Sequence, residues 1–454
     1  MRGRVAACLL AVLVAGCAGN PAPSQPSSAA HAPPRAVQRL PAKPWLNMPD
    51  TASGSIPALL SQTGAFAALR RLEPAKTLLP YDLVLAFWSD GAEKTRFVAI
   101  PDGKVTFSPT GDWTFPPGTV FVKTFELPID ATQPHLTRRL ETRLLVVDRN
   151  GGVYGVDYKW RADLSDADLV AAEGLRENIT IRDAAGTHVQ SWYYPSREDC
   201  LVCHNSHTTG TLGPKTRQMN RDLHYPDGVT ENQLLRWNRL GLFDTAINER
   251  DIASFPSLAR SDDTTRSLED RARSWLDANC GHCHRPGGTV ANFDARYETP
   301  LAQQRLIDGP VLIDENVDRA RVISPHDPWR SVALMRVDTN GEIRMPPLAR
   351  NTIDTQGAAL LRNWIGSLPG RDVLPPPSIA PAGGNFEHPV SVTLASSEPG
   401  TEIRYTLDGS VPGPSDARYE GPIRIDGPTT LRARTYKEGF TRSVIAQQTY
   451  LVGQ

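Results

Sequence analysis

A five-residue pattern occurs twice in this chain and constrains it more than any other feature. Residues 200–204 read C-L-V-C-H and residues 280–284 read C-G-H-C-H. The spacing C-x-x-C-H is that of a covalent c-type haem attachment site, where two thiols add to the vinyl groups of one porphyrin and the next imidazole ligates the iron. We therefore predict two covalently attached haem c groups. The predicted thioether residues are Cys200, Cys203, Cys280 and Cys283, and the predicted proximal ligands are His204 and His284.

Other uses of these cysteines fit the spacing less well. The chain has six cysteines, of which Cys8 and Cys17 lie at the amino terminus, so none remains for a structural disulfide. A four-thiolate zinc ribbon places its C-x-x-C pairs about 15 to 20 residues apart, and a much longer stretch separates Cys203 from Cys280. A redox C-x-x-C needs no histidine after its second cysteine. The haem interpretation is therefore preferred.

The amino terminus is predicted to export and anchor the chain. Residues 1–17 contain two arginines, an apolar run over Val5–Val14 and a lipobox-like V-A-G-C, as in a lipoprotein signal peptide. Cys17 is the predicted lipidation site, since more than one acyl chain is needed for stable anchoring. Ordinary secretion with an unmodified or removed Cys17 is the alternative. Residues 18–54 are rich in Pro, Ser and Ala and are predicted to be a tether.

The length and composition indicate how many domains the chain can form, but they do not identify a partner. The 454 residues are 40% hydrophobic and 22% charged, which is ordinary for several globular domains. A formal net charge of -1 gives no reason to expect nucleic acid as a partner.

Residues 55–189 are predicted to form a β-rich domain after one short helix over Ile56–Arg71. The predicted strands are Thr95–Ile100, Thr119–Leu127, Arg139–Val147 and Val153–Trp160. The charged residues on these stretches are interpreted as solvated faces or edge protection. They are Glu93, Lys94, Lys123, Glu141 and Arg143.

Residues 190–250 form the first haem segment, in which the sixth iron ligand stays open. Aromatic residues precede the motif at 192–194 and could line a porphyrin edge. Met219 is the first candidate for the distal ligand and His224 is the second. A different residue or an open coordination position is the third alternative.

Residues 251–370 contain a more complete set of haem-binding features. A predicted helix over Thr264–Asn279 leads into the second motif, and a predicted helix over Asp354–Leu368 ends the segment. Between them, R-M-P-P-L contains Met345, the predicted distal ligand opposite His284. This order of helix, motif, loop, methionine and helix is that of a class I cytochrome c. His282, inside the second motif, is interpreted as a surface or structural residue.

Residues 55–370 resemble a family of exported di-haem c-type cytochromes of Gram-negative bacteria. The resemblance rests on both C-x-x-C-H units and on L-P-Y-D-L, F-W-S-D-G-A-E-K, W-T-F-P-P-G-T-V-F-V-K-T-F, L-E-T-R-L-L, N-R-D, N-Q-L-L-R-W and R-M-P-P-L. It implies electron transfer through two covalent haems without identifying a substrate.

A separate carboxy-terminal domain is predicted over residues 379–454, after a Pro-rich linker at 371–378. The predicted strands are Val390–Ala395, Glu402–Thr406, Ile423–Ile425, Thr430–Lys437 and Val444–Tyr450. The phrases T-E-I-R-Y-T-L-D-G-S and T-T-L-R-A-R-T-Y-K-E-G-F resemble the chitobiase/β-hexosaminidase-type C-terminal domain, an immunoglobulin-like sandwich. The resemblance implies an accessory module that could contact glycans, and it brings no glycosidase chemistry.

These features predict a multidomain chain. Its parts would be an amino-terminal antiparallel β domain, central mostly α cytochrome c segments with two haems, and a carboxy-terminal immunoglobulin-like β-sandwich. The predicted function is electron transfer with a redox protein partner in the periplasm, by a protein anchored through lipid in the cell envelope at the outer membrane. A di-haem peroxidase-like or oxidase-like enzyme with an open first haem is one alternative. An envelope glycan-binding protein with accessory haems is the other.

Overall fold

Ten strands occupy the first part of the chain in the computed structural model, which describes residues 40–208, 210–288, 292–348 and 350–453. They are β1 (Phe66–Ala68), β2 (Glu73–Pro74), β3 (Leu78–Pro80), β4 (Glu93–Ala99), β5 (Val120–Pro128), β6 (Thr137–Val147), β7 (Val153–Trp160), β8 (Ala167–Leu169), β9 (Leu175–Asp183) and β10 (Gly186–Tyr194). Strands β3 to β8 form one antiparallel sheet in chain order. Its four long strands lie within two residues of the predicted ones.

One face of this sheet forms the first hydrophobic core. Alternate residues such as Val122, Leu144 and Val156 point into it, as the two-residue period of a strand requires. Ala42, Leu46 and Met48 are buried in the same core. The folded body therefore begins before Ser55, because the apolar residues that follow the Pro-rich stretch pack against the sheet. The signal peptide, Cys17 and residues 18–39 lie outside the described residues.

The short helix predicted over Ile56–Arg71 is wrong. That stretch contains 3₁₀ turns at Leu60–Thr63 and Leu69–Arg71, separated by β1. Gly64, at a φ of 77°, ends the first turn. A left-handed glycine terminates helical structure, so the helical spacing of apolar residues was not sufficient to make a continuous helix.

The central part is not the mostly α segment that we predicted, and the described chain is mostly β. Its elements are α1 (Arg197–Cys203), α2 (Thr216–Met219), β11 (Asp222–His224), β12 (Thr230–Asn232), α3 (Gln233–Arg239), α4 (Leu268–Asn279), α5 (Val332–Val337) and α6 (Thr355–Ser367). Long loops rich in Gly, Pro, Asp and Asn connect α4 to α5, and these residues favour turns over helix. Isolated bridges such as Ile307 with Ile323 satisfy part of their backbone.

Two longer helices of this region pack against each other. Ser267 caps α4 and Asp354 caps α6, each by accepting a backbone N–H in the first turn. Gly357 in α6 allows close contact, because a Cβ there would lie 2.3 Å from Nε1 of Trp275 in α4. That indole nitrogen donates to the Asp354 carboxylate at 2.8 Å. The contact places the end of α4, and with it the second C-x-x-C-H, against the end of the loop that contains Met345.

Eight strands form the carboxy-terminal domain. They are β13 (Ser378–Ala380), β14 (Gly384–Phe386), β15 (Val390–Ala395), β16 (Glu402–Thr406), β17 (Ala417–Arg418), β18 (Ile423–Ile425), β19 (Thr429–Tyr436) and β20 (Ala446–Val452). They make one sheet in the order β13-β15-β18 and another in the order β14-β20-β19-β16-β17. A core shared by Val392, Leu431 and Tyr450 lies between them, as in a β-sandwich.

A buried arginine joins this sandwich to the central part. Arg330, 2% exposed, pairs with Asp327 at 2.8 Å and donates to the backbone carbonyls of Arg442 and Ser443 at 3.2 and 3.1 Å. Asp318 bridges Arg330 and Arg434. The carboxy-terminal domain is therefore fixed to the central part by a shared network of charges. No helix among the described residues has both the length and the apolar character to cross a bilayer.

Replacing Arg330 with alanine is expected to destabilise the chain by about 3–5 kcal/mol, because the Asp327 carboxylate would stay buried without its partner. The midpoint of urea unfolding, followed by tryptophan fluorescence, measures the change. Arg424→Ala is the control, since its pair with Asp426 is 73% and 64% exposed and should contribute less than about 1 kcal/mol. Equal unfolding midpoints for the two variants would contradict the prediction that the buried network around Arg330 stabilises the fold.

Candidate functional site

The first C-x-x-C-H begins on α1, directly after the β9–β10 hairpin. Ser196 caps the helix by accepting from the Asp199 backbone N–H at 3.0 Å, and the Asp199 carboxylate accepts from the Ser196 N–H at 2.9 Å. This reciprocal capping box starts the helix at a defined residue. One helical turn then brings Cys200 and Cys203 to the same side, and His204 follows at the end of the helix.

A glycine in the sheet makes room for the first thiol. Cys200 lies against Gly155 of β7, where an added Cβ would be 2.6 Å from Sγ and 2.8 Å from the cysteine Cβ. Real side chains do not approach that closely, so any other residue at 155 would displace α1. The sheet therefore sets the position of the first motif.

The hydrogen bonding of His204 leaves one ring nitrogen free for a metal. The carbonyl of Gly210 can only accept, so Nδ1 of His204, 2.9 Å away, is the donor. Nε2 then carries the lone pair, as in the usual arrangement of a ligating imidazole with its other nitrogen bonded to a carbonyl. Burial lowers the pKa of His204 to about 3. The ring is therefore neutral and suited to ligate iron.

The second motif follows the end of α4. The backbone N–H of Cys280 donates to Leu276, and that of His284 donates to the Cys280 carbonyl at 2.9 Å. The His284 ring stacks on Phe293 with centroids 4.4 Å apart, and burial lowers its pKa to about 4. Its Nδ1 is buried and has no hydrogen-bond partner among the described residues. This imidazole is also neutral.

The loop around Met345 is held by a buried guanidinium. Arg350, 3% exposed, donates to the backbone carbonyls of Met345, Thr339 and Arg336. The Met345 N–H donates to the Arg336 carbonyl at 2.8 Å. These four hydrogen bonds hold the backbone of the Met345 loop beside the second motif.

The segment F-W-S-D-G of the β domain contacts both the residue before the second motif and the loop that follows Met345. The Trp88 N–H donates to Asn279 Oδ1 at 2.8 Å, just before Cys280. Asp90, 5% exposed, accepts from the backbone N–H groups of Asn351 and Thr352 at 2.6 and 2.8 Å. This segment was noted in the sequence for its resemblance alone. Its contacts give it a physical role, which is to tie the β domain to the second motif.

An ion cluster joins the two motif segments to each other. The Asp277 carboxylate, fully buried in α4, accepts from Lys215 and Arg217 of the α2 region, each at 2.9 Å. Burial alone would raise the pKa of Asp277, but Lys215 and Arg217 lower it well below its usual range. Arg217 also pairs with Glu298 at 2.7 Å. The chain after the first motif is therefore locked to the helix before the second.

The two motifs meet at their second cysteines. The sulfur atoms of Cys203 and Cys283 and a ring nitrogen of His282 lie within 4.8 Å of one another. The hydrogen bond with Cys283 raises the pKa of Cys203. His282 packs edge-on against Phe87 at 5.4 Å. His282 is partly buried, and its contact with Phe87 agrees with the structural alternative of its prediction.

Two cavities border these groups. The first, of about 340 Å³, is lined by Met345, Phe87, His282 and all six cysteines and histidines of the two motifs. The second, of about 290 Å³, lies beside Cys280, His284 and Met345. The rest of its wall is mostly apolar and includes Leu276, Phe293, Val311, Val322, Val332 and Val337. The structure therefore brings Met345 and both motifs together, although 61 residues separate Met345 from His284 in the chain.

Met219 and His224 are not brought to either cavity. Met219 is completely buried in a separate core with Leu234 and Trp237. His224 is exposed on β11, where its Nδ1 lies 2.9 Å from the Thr230 hydroxyl. Neither residue lines the cavity that contains His204. The short sequence separation of Met219 and His224 from His204 therefore did not predict that they lie near it in space.

The interpretation of the strand charges as solvated is wrong for the middle of the sheet. Lys94, Lys123 and Arg143 line the first cavity, and Glu141 is completely buried beside Arg143. Burial, with Arg143 and Arg96 nearby, lowers the pKa of Lys123 to about 7. These charged residues alternate with apolar residues along the strands, which is the pattern of a solvent-exposed face. Only the fold shows that the central segments cover that face. A sequence signal did exist, because Phe121 and Phe125, two residues before and after Lys123, share its face of the strand.

Comparison with known proteins assigns one part of the chain. Residues 381–447 match the family model described as Chitobiase/beta-hexosaminidase C-terminal domain. This confirms the resemblance seen in the carboxy-terminal sequence, and it agrees with the observed sandwich. The match does not extend to residues 190–370, where both motifs lie. A search of curated proteins returned no match for this chain.

Replacing Asp277 with asparagine is expected to destabilise the protein at pH 7 by about 3–5 kcal/mol, because Arg217 would remain buried with its main partner removed. The native pKa of Asp277 is lowered, so its contribution is present above the unfolded value of about 3.9 and is lost as the pH falls towards the native pKa. The difference from the unaltered protein should therefore shrink below about pH 4.

Urea unfolding at a series of pH values measures this difference. Asp262→Asn is the matched control, since Asp262 pairs with Arg260 on the surface, where both side chains are more than 60% exposed. A difference for Asp277→Asn that stays constant down to pH 2 would contradict the argument.

Proposed function

We propose that this protein is a di-haem c-type cytochrome that transfers electrons in the cell envelope. One observation supports it most, namely that both C-x-x-C-H motifs line a single cavity of about 340 Å³ with their second sulfur atoms close together. Haem supplies one-electron chemistry at its iron, and transfer between two such groups is fast when they lie close. The resemblance of residues 55–370 to exported di-haem cytochromes points in the same direction.

The donor atoms fit two haems better than one zinc ion. A structural zinc site needs four ligands that converge in a tetrahedron. Only Cys203, Cys283 and His282 converge among the described residues. The Cys200 sulfur lies instead against Gly155, and Cys280 packs against the core of the α4–α6 region. Two separated thiols in each motif, followed by a neutral imidazole, suit thioether attachment and iron ligation.

The second site would hold its iron between His284 and Met345. Both side chains border the apolar cavity of about 290 Å³, and the hydrogen bonds of Arg350 keep the methionine loop in place. An axial methionine raises the reduction potential, and a six-coordinate iron leaves no position for a substrate. The apolar wall excludes water from this site. These properties suit an electron carrier.

The first site would hold its iron through Nε2 of His204. The described wall of the first cavity contains three histidines, His204, His282 and His284. His204 and His284 are already proposed as iron ligands, so His282 is the remaining imidazole. It is therefore the candidate for the opposite ligand, and an open position is the alternative. This assignment replaces Met219 and His224, which lie elsewhere.

A haem enzyme of the peroxidase or oxidase type is the second candidate function. It is favoured by the acid–base groups beside the first cavity, where Glu141 and Asp157 are 0% and 4% exposed. Burial and the neighbouring Glu141 raise the pKa of Asp157 well above its usual range. Asp157 lies opposite Arg143, which lines the cavity, and a protonated Asp157 would be the candidate general acid of such an enzyme.

The cell-envelope setting rests on the sequence of residues 1–54. Export by a signal peptide and lipidation of Cys17 would anchor the protein, with the outer membrane and a periplasmic redox partner as the proposed context. The carboxy-terminal domain matches a module of carbohydrate-active proteins, and contact with an envelope glycan is its proposed accessory role. The buried network around Arg330 would hold it rigidly against the haem-binding part.

Expression of the full chain in a host with a c-type maturation system is expected to give two covalent haems per chain, because both motifs are intact and accessible from the cavity. Absorbance after conversion to the pyridine complex, together with the mass of the intact chain, counts them. The paired changes Cys200→Ser/Cys203→Ser and Cys280→Ser/Cys283→Ser should each remove one haem. Cys17→Ser is the control and should keep both. A chain with no covalent haem would overturn the proposed function.

Carbon monoxide should leave the spectrum of the reduced protein unchanged, because an electron carrier keeps both irons six-coordinate. His282→Ala should then create a binding position and a spectral shift, whereas His326→Ala, which removes a histidine that is bonded to Asp372 and lines neither cavity, should not. A shift in the unaltered protein would favour the enzyme instead.

A further inference from the structure

The face of the sheet that borders the first cavity contains a lateral row of cations. Arg96 on β4, Lys123 on β5 and Arg143 on β6 are directly opposite one another in the strand register. Like charges in directly opposed positions of a sheet repel each other. Counter-charges reduce this repulsion, and the three members of the row differ in whether they have one.

The two outer members of the row are compensated by carboxylates. Arg96, 7% exposed, pairs with Asp82 at 2.7 Å. Arg143 pairs with the buried Glu141 at 2.5 Å. Both arginines therefore have a protein counter-ion within hydrogen-bonding distance.

The middle member has no such partner. Lys123 makes no hydrogen bond or ion pair among the described residues, and its ammonium lies 5.2 Å from the ring centre of Phe125. Lys94 lies on the same face, where its ammonium donates to the Phe87 carbonyl at 2.7 Å and has no ion pair with any described carboxylate. Both side chains line the first cavity. An ammonium group removed from water without a counter-charge is unfavourable.

We propose that Lys94 and Lys123 form a binding site for oxyanion groups in the wall of the first cavity, with the two propionate carboxylates of the haem held by Cys200 and Cys203 as its ligand. This inference rests on the proposed function. Two amine side chains, whose charged forms a carboxylate would stabilise, line the same cavity as the first motif, and a haem carries two carboxylates. The site would set the orientation of the porphyrin, since charge-assisted hydrogen bonds to carboxylates are short and directional.

The position of the row relative to the first motif supports this assignment. Asp157 of β7 is opposite Arg143, and Gly155 on the same face of β7 contacts Cys200. The lysines therefore extend from the sheet surface that the first motif covers. The second motif also borders the first cavity, but it has in addition a cavity of mainly apolar wall in which Arg336 is the one cation among the described lining residues.

The test uses the full holoprotein and measures the reduction potentials of both haems by spectroelectrochemistry. Lys94→Met and Lys123→Met should each lower the potential of the haem at Cys200–His204, because a cation near the porphyrin stabilises the more electron-rich reduced form. The double variant should lower it further, and the other haem should change less. Lys76→Met removes an exposed lysine of the same domain and should leave both potentials unchanged.

Lys123→Arg separates charge from other effects of the side chain. It keeps the positive charge, so it should retain the potential that Lys123→Met loses. If the two variants behave alike, or if the methionine variants match Lys76→Met, the proposal is overturned. The amount of covalent haem is measured in the same samples. If haem is attached but the potentials do not change, only the lysine site fails, whereas the absence of covalent haem would contradict the proposed function itself.

A soluble oxyanion could occupy the same two lysines, and a second arm distinguishes that source. Sulfate is exchanged for chloride at constant ionic strength while the potential of the first haem is followed. Propionate binding predicts no response to sulfate. A response in the unaltered protein that Lys94→Met/Lys123→Met abolishes would assign the site to a soluble oxyanion instead, and would overturn the propionate assignment.

Discussion

The buried ion cluster around Asp277 is the interaction on which the arrangement of the candidate site depends. Asp277 belongs to the helix that leads into the second motif, and its two cationic partners follow the first motif. A carboxylate with no exposure to solvent tolerates this position only with close counter-charges. The two motifs, which are far apart in the chain, are therefore held in one place by a contact that is costly to break.

The β domain contributes residues to the wall of the candidate site and also supports it. One face of its sheet forms a hydrophobic core, and the other face forms the wall of the first cavity. Gly155 admits the first thiol, and Asp90 holds the loop beyond Met345. The helices α4, α5 and α6 share a hydrophobic core of their own, whereas α1 depends on the sheet, because Cys200 lies against Gly155 of β7. The sheet provides the rigid surface against which both motifs are ordered.

Strand positions could be predicted from the sequence, and the central architecture could not. Alternating apolar residues bounded by Gly, Pro and Asp marked β4 to β7 closely, and the same signals marked the carboxy-terminal sandwich. The prediction of a mostly α centre was wrong although its two long helices, α4 and α6, lie close to the predicted bounds, because loops rich in turn-forming residues and short strands occupy most of the remaining central residues. The solvated interpretation of Lys123 failed for a related reason. A polar strand face looks the same in sequence whether water or another segment covers it.

By itself, the sequence determined the chemistry that is available, which is two C-x-x-C-H units, one M-P-P segment and a carboxy-terminal domain of a recognised type. Those identities depend only on residue type and spacing along the chain. The tertiary structure alone decided that both motifs border one cavity, that Met345 joins them while Met219 lies in a separate core, and that Lys94 and Lys123 line the first cavity without an ion pair to any described carboxylate. These outcomes depend on contacts between residues distant in the chain, which burial and ion pairing select and which local spacing does not record.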